Sequence, residues 1–235
     1  NLFPEAVERL ARFAEVDIWP KPSSPSSEVL ISKAAEVDGM ITMLNEPINT
    51  QVIESGHQYH LQVISQMAVG FDNIDVTSAT KYGILVGNTP GVLTETTADL
   101  AWGLLMAAAR RIVEGHNEVH QGIWRPWGPD VMCGVDVYGS TLGLIGFGRI
   151  GQAMAARARG FNMQVLYTQR HRDLEAESRL GARYVSLDEL LHQSEFISLH
   201  AYLSAETKGM LGKSQFEMMK PGVILINTAR GAMVD

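Results

Sequence analysis

One cysteine, Cys133, is all that the 235 residues contain. No internal disulfide can form and no cysteine metal cluster is possible, which excludes disulfide-stapled scaffolds and zinc ribbons. Long apolar runs are missing too. The longest helical one, Leu100 to Ala109, meets Arg110 and Arg111 and is too short to cross a bilayer. No signal-peptide pattern opens the chain, and a cytoplasmic location is expected. Basic residues are few and scattered, with 19 Lys and Arg against 26 Asp and Glu and a net charge of −7. That lacks the footprint of a nucleic-acid binder. The expected partner is a small molecule, with no nucleic acid and no membrane. Hydrophobic residues make up 46%, enough for one large core or two smaller ones.

What is present is an alternation of helical and strand periods. Glu5 to Phe13 predicts a helix through the stripe Ala6, Val7, Leu10 and Phe13. Strands are expected over Val16 to Trp19, Gly39 to Leu44, Leu61 to Gln66 and Ile84 to Val86. After the break Gly87-Asn-Thr-Pro-Gly91, one long helix is expected from Thr94 to His120. Further apolar strands follow at Thr141 to Ile145, Gln164 to Thr168, Phe196 to His200 and Val223 to Asn227, with Arg149 to Arg159 the clearest helix between them. Such alternation implies an α/β fold of parallel βαβ units. The boundary is placed near Val92, giving a small α/β domain over 1–92 and a doubly wound dinucleotide-binding domain over 93–235.

Gly146, Gly148 and Gly151 form G-x-G-x-x-G between an apolar strand and a helix, the context that dinucleotide binding requires. The first glycine permits the tight turn, the second lets backbone approach a pyrophosphate, and the third lets helix pack on strand. The helix N-terminus adds free N–H groups and a positive dipole end. An NAD site usually places Asp or Glu about 20 residues further on, against the ribose 2′-OH. Here Val165-Leu-Tyr-Thr168 runs into Gln169-Arg170-His171-Arg172, with no carboxylate before Asp173. A carboxylate would repel a 2′-phosphate, and its loss beside Arg170 and Arg172 favours NADP over NAD.

Four segments together resemble one family: Ala68-Val-Gly-Phe-Asp-Asn-Ile-Asp75, the run from Asn88 to Trp102, Gly146-Phe-Gly-Arg-Ile-Gly-Gln152, and Asn227-Thr-Ala-Arg-Gly231. They are similar, in order, to those of the D-isomer-specific 2-hydroxy-acid dehydrogenases, in particular the glyoxylate/hydroxypyruvate reductase branch. The resemblance implies two doubly wound parallel-sheet domains, a flavodoxin-like substrate domain and a Rossmann nucleotide domain. It implies reduction of a small 2-oxo acid with NADPH. Arg230 would hold the substrate carboxylate and polarise its carbonyl, a task that suits the planar guanidinium fork. The N–H groups of Val69 and Gly70 would hold the same carboxylate, and Leu44 would line the pocket. Thr97, Gly146, Phe147, Gly148, Arg149, Ile150, Gln169, Arg170, Arg172, His200, Thr228, Ala229 and Arg230 would line the cofactor.

The family's proton donor is a histidine assisted by a glutamate, both after the arginine motif, so His200 is not expected to donate the proton. The family also begins with a strand ahead of the first helix. The chain is therefore expected to be cut at both ends, to lack the catalytic His and Glu, and to turn over little by itself. A homodimer is expected through the long helix and the arm from Gly122 to Gly139, where Trp124, Trp127 and Val131 cluster. Val131 stands where the reductase branch has a tryptophan that enters the neighbouring pocket, which weakens hydroxypyruvate relative to glyoxylate. His116 and His120 are spaced as a metal pair could be, but no third ligand is evident and a solvated helix face is expected. Phosphoglycerate dehydrogenase, formate dehydrogenase and non-catalytic dinucleotide sensors of this fold are the alternatives. Formate dehydrogenase shares the Tyr167 to Arg172 pattern but usually has Asp at the position of Gln169.

Overall fold

Pro4 suits the first turn of a helix, where its missing N–H goes unneeded. It opens α1 (Pro4–Leu10). Then come α2 (Ser27–Ala34), β1 (Gly39–Thr42), α3 (Thr50–Tyr59), β2 (Val63–Gln66), α4 (Val76–Lys81) and β3 (Leu85–Gly87). Asn49 and Asp75 cap α3 and α4 by accepting from Val52 N and Ser78 N. The strands pair in parallel in the order β1-β2-β3. Ile64 is buried from the sheet, while Ile48, Val52, Ile53 and Ala79 are buried from the flanking segments, together making one core cluster. Along the same strands, Ile41, Val63 and Leu85 point the other way and are exposed.

The chain of this computed structural model is described over residues 2–235 and divides into two units, Asn1–Pro90 and Gly91–Asp235. The second contains α5 (Thr94–Ala109), α6 (Ile112–His120), β4 (Thr141–Ile145), α7 (Arg149–Arg159), β5 (Gln164–Thr168), α8 (Leu174–Leu180), β6 (Ala182–Tyr184), α9 (Leu187–Gln193), β7 (Phe196–Leu199), α10 (Lys213–Met218) and β8 (Ile224–Asn227). Its five strands are all parallel, in the order β6-β5-β4-β7-β8. The order reverses between β4 and β7, and a crevice for ligands opens at such a switch, beyond the carboxyl ends. The α/β fold with parallel sheets is as expected.

Two expectations fail. Val16 to Trp19 forms no strand, because its backbone finds no ladder partner among the described residues. The long helix is two helices, interrupted at Arg111, whose φ of 53° is left-handed. The cause lies far along the chain: Val135 N donates to Ala109 O at 2.9 Å, taking the carbonyl that would continue the helix. Gly134 is required there, since a Cβ would collide with that same carbonyl. Other boundaries shift by one to three residues; Leu61, for example, is not in β2 but closes α3, donating to Gly56 O after left-handed His60.

Candidate active site

The glycine loop follows β4 and meets the segment after β7. Gly146 has φ +95°, and a Cβ there would lie 2.5 Å from Ala201 N and 2.6 Å from the His200 carbonyl carbon. A Cβ on Gly151 would strike the Gly146 carbonyl oxygen. These two glycines are thus demanded by the protein itself. At Gly148 an added Cβ meets nothing within 4 Å, so its lack of a side chain leaves a cradle open. Gly148 is also the N-cap of α7 with no side-chain cap, so the first turn, with exposed Arg149 and half-buried Ile150, keeps N–H groups for an anion.

Phe147 does not offer its ring to that cradle. The ring is buried and stacks on Tyr167 at 4.0 Å between centroids. Its N–H donates to Gln169 Oε1 at 3.1 Å and its carbonyl accepts from Gln152 Nε2 at 3.1 Å. Gln152 also binds Asp173 Oδ2. Gln169 Nε2 donates to His171 O at 2.6 Å. The first carboxylate after β5, Asp173, is committed elsewhere, since its Oδ1 accepts from Ala176 N to cap α8. Arg170 pairs with Glu206 at 3.0 Å, both exposed. Arg172 grips Glu177 with two hydrogen bonds of 2.7 Å.

On the other side of the switch, His200 follows β7. Its Nε2 lies 2.9 Å from Ser198 Oγ. Burial lowers its pKa from 6.5 to about 4, so the imidazole is neutral at pH 7. After β8, Asn227 clamps the next turn: its Oδ1 accepts from Ala229 N at 3.0 Å and its Nδ2 donates to Arg230 O at 2.9 Å. This fixes the backbone that carries Arg230, whose Nη1 donates to Ala229 O. Thr228 Oγ1 is buried with no hydrogen-bond partner among the described residues. A buried orphan hydroxyl is costly unless a ligand completes it. The open cradle at Gly148, the uncapped helix and this hydroxyl all fit a bound dinucleotide. Thr97 lies half-buried on α5.

In the first unit, Leu44 and Val69 are exposed and Gly70 is half-buried. They sit on the loops after β1 and β2. The N–H groups of Val69 and Gly70 make no hydrogen bond among the described residues. Three residues that sequence reasoning missed hold these loops. Buried Thr42 donates to Gln66 Oε1 at 2.6 Å, and Gln66 Nε2 reaches Gly70 O and Asn73 Oδ1. Asn73 Nδ2 then donates to Met43 O and Glu46 O. Their signal was faint, an amide at a strand end and another seven residues on.

Comparison with known proteins identifies this arrangement. Residues 102–235 match the model of the D-isomer specific 2-hydroxyacid dehydrogenase, NAD binding domain. The chain belongs to the D-isomer specific 2-hydroxyacid dehydrogenases. Among members of that family, it is similar to the glyoxylate reductase of Thermococcus litoralis, 47% identical over 97% of this chain and 70% of the relative. A structure from Thermus thermophilus superposes with a TM-score of 0.89 at 41% identity, covering 100% of this chain and 73% of that one. A glyoxylate reductase structure from Paecilomyes thermophila gives 0.86 at 31%, covering 100% and 72%. As a 2-hydroxyacid dehydrogenase, the protein is an oxidoreductase that uses a nicotinamide dinucleotide. Among the described residues, no helix is long and apolar enough to cross a membrane.

Proposed function

We propose that this dehydrogenase reduces glyoxylate to the 2-hydroxy acid and prefers NADPH. The observation that carries the reading is the clamped turn bearing Arg230 beyond β8, in the same unit as the open cradle at Gly148. Glyoxylate reductases at nearly half identity supply the substrate. When bound, the dinucleotide supplies a hydride to the carbonyl carbon. Gly148, Arg149 and Ile150 hold its phosphates through backbone N–H groups, and Thr228, Ala229 and Thr97 line it. Arg230 binds the substrate carboxylate with its planar fork and stabilises charge developing on the carbonyl oxygen. Val69 and Gly70 offer further N–H donors for the carboxylate, and Leu44 an apolar wall. His200 is no proton donor, because an imidazole with a pKa of about 4 has no proton to give at neutral pH.

The NADPH preference is supported by amide Gln169 at the end of β5 and by the engagement of Asp173 as the α8 cap. Neither offers a free carboxylate to a ribose 2′-OH, since Gln169 is uncharged and both oxygens of Asp173 already accept hydrogen bonds. The test is kcat/KM for glyoxylate with each cofactor in an enzyme that carries the family's His and Glu after the arginine motif; a ratio favouring NADH ends the NADPH reading. Gln169→Asp is expected to move the ratio toward NADH by about tenfold, a change of roughly 1.4 kcal/mol.

The same reading makes the protein a homodimer. Leu104 and Leu100 on α5, Val113 and Val119 on α6, and Trp124 and Trp127 beyond it are all exposed. An apolar set of this size marks an interaction surface. Light scattering at micromolar concentration is expected to give twice the chain mass, and a monomer would remove the proposal.

A further inference from the structure

Tyr167, in β5, is the last fully buried aromatic before the cofactor-selecting loop. Its ring is held between Phe147 of the glycine loop, at 4.0 Å, and Tyr184 of β6, at 5.4 Å. Its hydroxyl therefore has a fixed position. It donates to Glu177 Oε1 at 2.7 Å and accepts from Asp173 N at 2.9 Å. Glu177 is thereby pinned on α8, and its side chain is only 11% exposed. Arg172 binds it with Nε on Oε1 and Nη2 on Oε2. This is a two-pronged, charge-assisted contact, the strongest ion-pair geometry that arginine makes. Arg172 and Tyr167 together hold the Glu177 carboxyl below its usual range, so it stays charged.

Arg170 differs. Its ion pair with Glu206 joins side chains 60% and 67% exposed, and its guanidinium lies 5.9 Å from the Tyr202 ring centroid. Such a pair is worth little and is readily exchanged for another anion. The two arginines of the loop are thus not equivalent, although they look alike in sequence.

We infer that Glu177 is a specificity-determining positioning residue: it withholds Arg172 from the cofactor, leaving Arg170 to read the 2′-phosphate. This rests on the NADPH reading above and deepens it. Glu177 limits the preference by occupying that one guanidinium.

Glu177→Gln tests the inference, because glutamine keeps the volume and an acceptor for the Tyr167 hydroxyl while losing the charge. Kd values are measured on the full chain by nucleotide fluorescence for NADPH and NADH, and by competition for 2′,5′-ADP and 5′-AMP. Glu177→Gln is expected to tighten NADPH and 2′,5′-ADP by about threefold to tenfold, the scale of one exposed charge interaction. NADH and 5′-AMP should stay within about twofold, the scatter of a surface substitution. Arg172→Gln alone should change NADPH affinity less than about twofold, whereas Arg170→Gln should weaken it about tenfold. In the Glu177→Gln, Arg172→Gln double variant the gain should disappear, as coupling through one residue requires. An unchanged or lowered NADPH-to-NADH affinity ratio in Glu177→Gln overturns the inference, as does Arg172→Gln weakening NADPH as much as Arg170→Gln. If Glu177→Gln does not fold, the two arginine variants alone decide. A wild type that does not favour NADPH would count against the cofactor reading alone. The ratio of 2′,5′-ADP to 5′-AMP would still report whether Glu177→Gln admits phosphate.

Discussion

The two units of this chain use the same α/β grammar and arrive at different degrees of closure. In the second, β7 is buried along its whole length and β4 at all but its first residue. In the first, burial alternates along β2, and Val63 and Leu85 lie open on one face. Two-sided burial makes a strand rigid and insensitive to its loops. One-sided burial leaves the sheet dependent on whatever ties its loops together. Here those ties are polar, Thr42 to Gln66 to Asn73. The expected consequence is a difference in local stability, since protection follows buried apolar contact.

The largest expected effect strikes the closed unit. Gly151→Val should destabilise it by more than about 3 kcal/mol, because the added side chain meets backbone, which cannot move aside. Gly148→Ala is the control. It should leave Tm nearly unchanged and weaken dinucleotide binding about tenfold by filling the cradle. Equal losses of Tm in the two variants would erase the distinction between structural and ligand-facing glycines.

Next comes Arg230. In an enzyme that carries the family's His and Glu, Arg230→Ala should lower kcat/KM for glyoxylate by about 100-fold, or roughly 2.7 kcal/mol of transition-state stabilisation. Arg230→Lys should fall between, keeping charge without the fork. NADPH affinity should move little, as the phosphates are held elsewhere. A change within twofold on removing the guanidinium defeats the substrate assignment.

In the open unit, Asn73→Ala should cost about 2 kcal/mol, since buried Gln66 and two carbonyls lose partners. Hydrogen exchange should quicken in 43–46 and 67–73 first. Uniform loss of protection across both units would break the comparison.

The smallest effect at pH 7 is that of His200, which appears only as a pH slope below 6.5. His200 has a folded pKa of about 4 against 6.5. Above 6.5 it is neutral folded or unfolded. As pH falls from 6.5 toward 4, the unfolded chain binds the proton first, so stability declines across that window. His200→Gln should flatten that part of the stability profile, and an unaltered slope would assign it to other groups.

How far these features were legible in the sequence follows the same division. β4 and β5 match their predicted spans residue for residue, because buried parallel strands are continuous apolar runs. The glycine loop was legible because its spacing and context coincide. Val16 to Trp19 looked like a strand by composition, yet a strand exists only through a partner. The break at Arg111 had no local signal, neither glycine nor proline, because its cause is Val135 N. Arg170 and Arg172 read alike; only the placement of Tyr167 against Glu177 separates them. Asn73 and Gln66 read as ordinary polar loop residues, since nothing local says that one amide reaches two carbonyls.

The bond from Val135 N to Ala109 O has one more consequence. The chain leaves α5 and returns to nearly the same point, and none of residues 110–134 is buried. This is a closed excursion whose ends are already joined. For a flexible loop, doubling the length costs only about 0.6 kcal/mol of closure entropy. The excursion can therefore be lengthened, shortened or rewritten with little strain on the sheet it springs from. Altering this part would therefore test the proposed dimer surface on Val113, Val119, Trp124 and Trp127 while the nucleotide unit stays as it is.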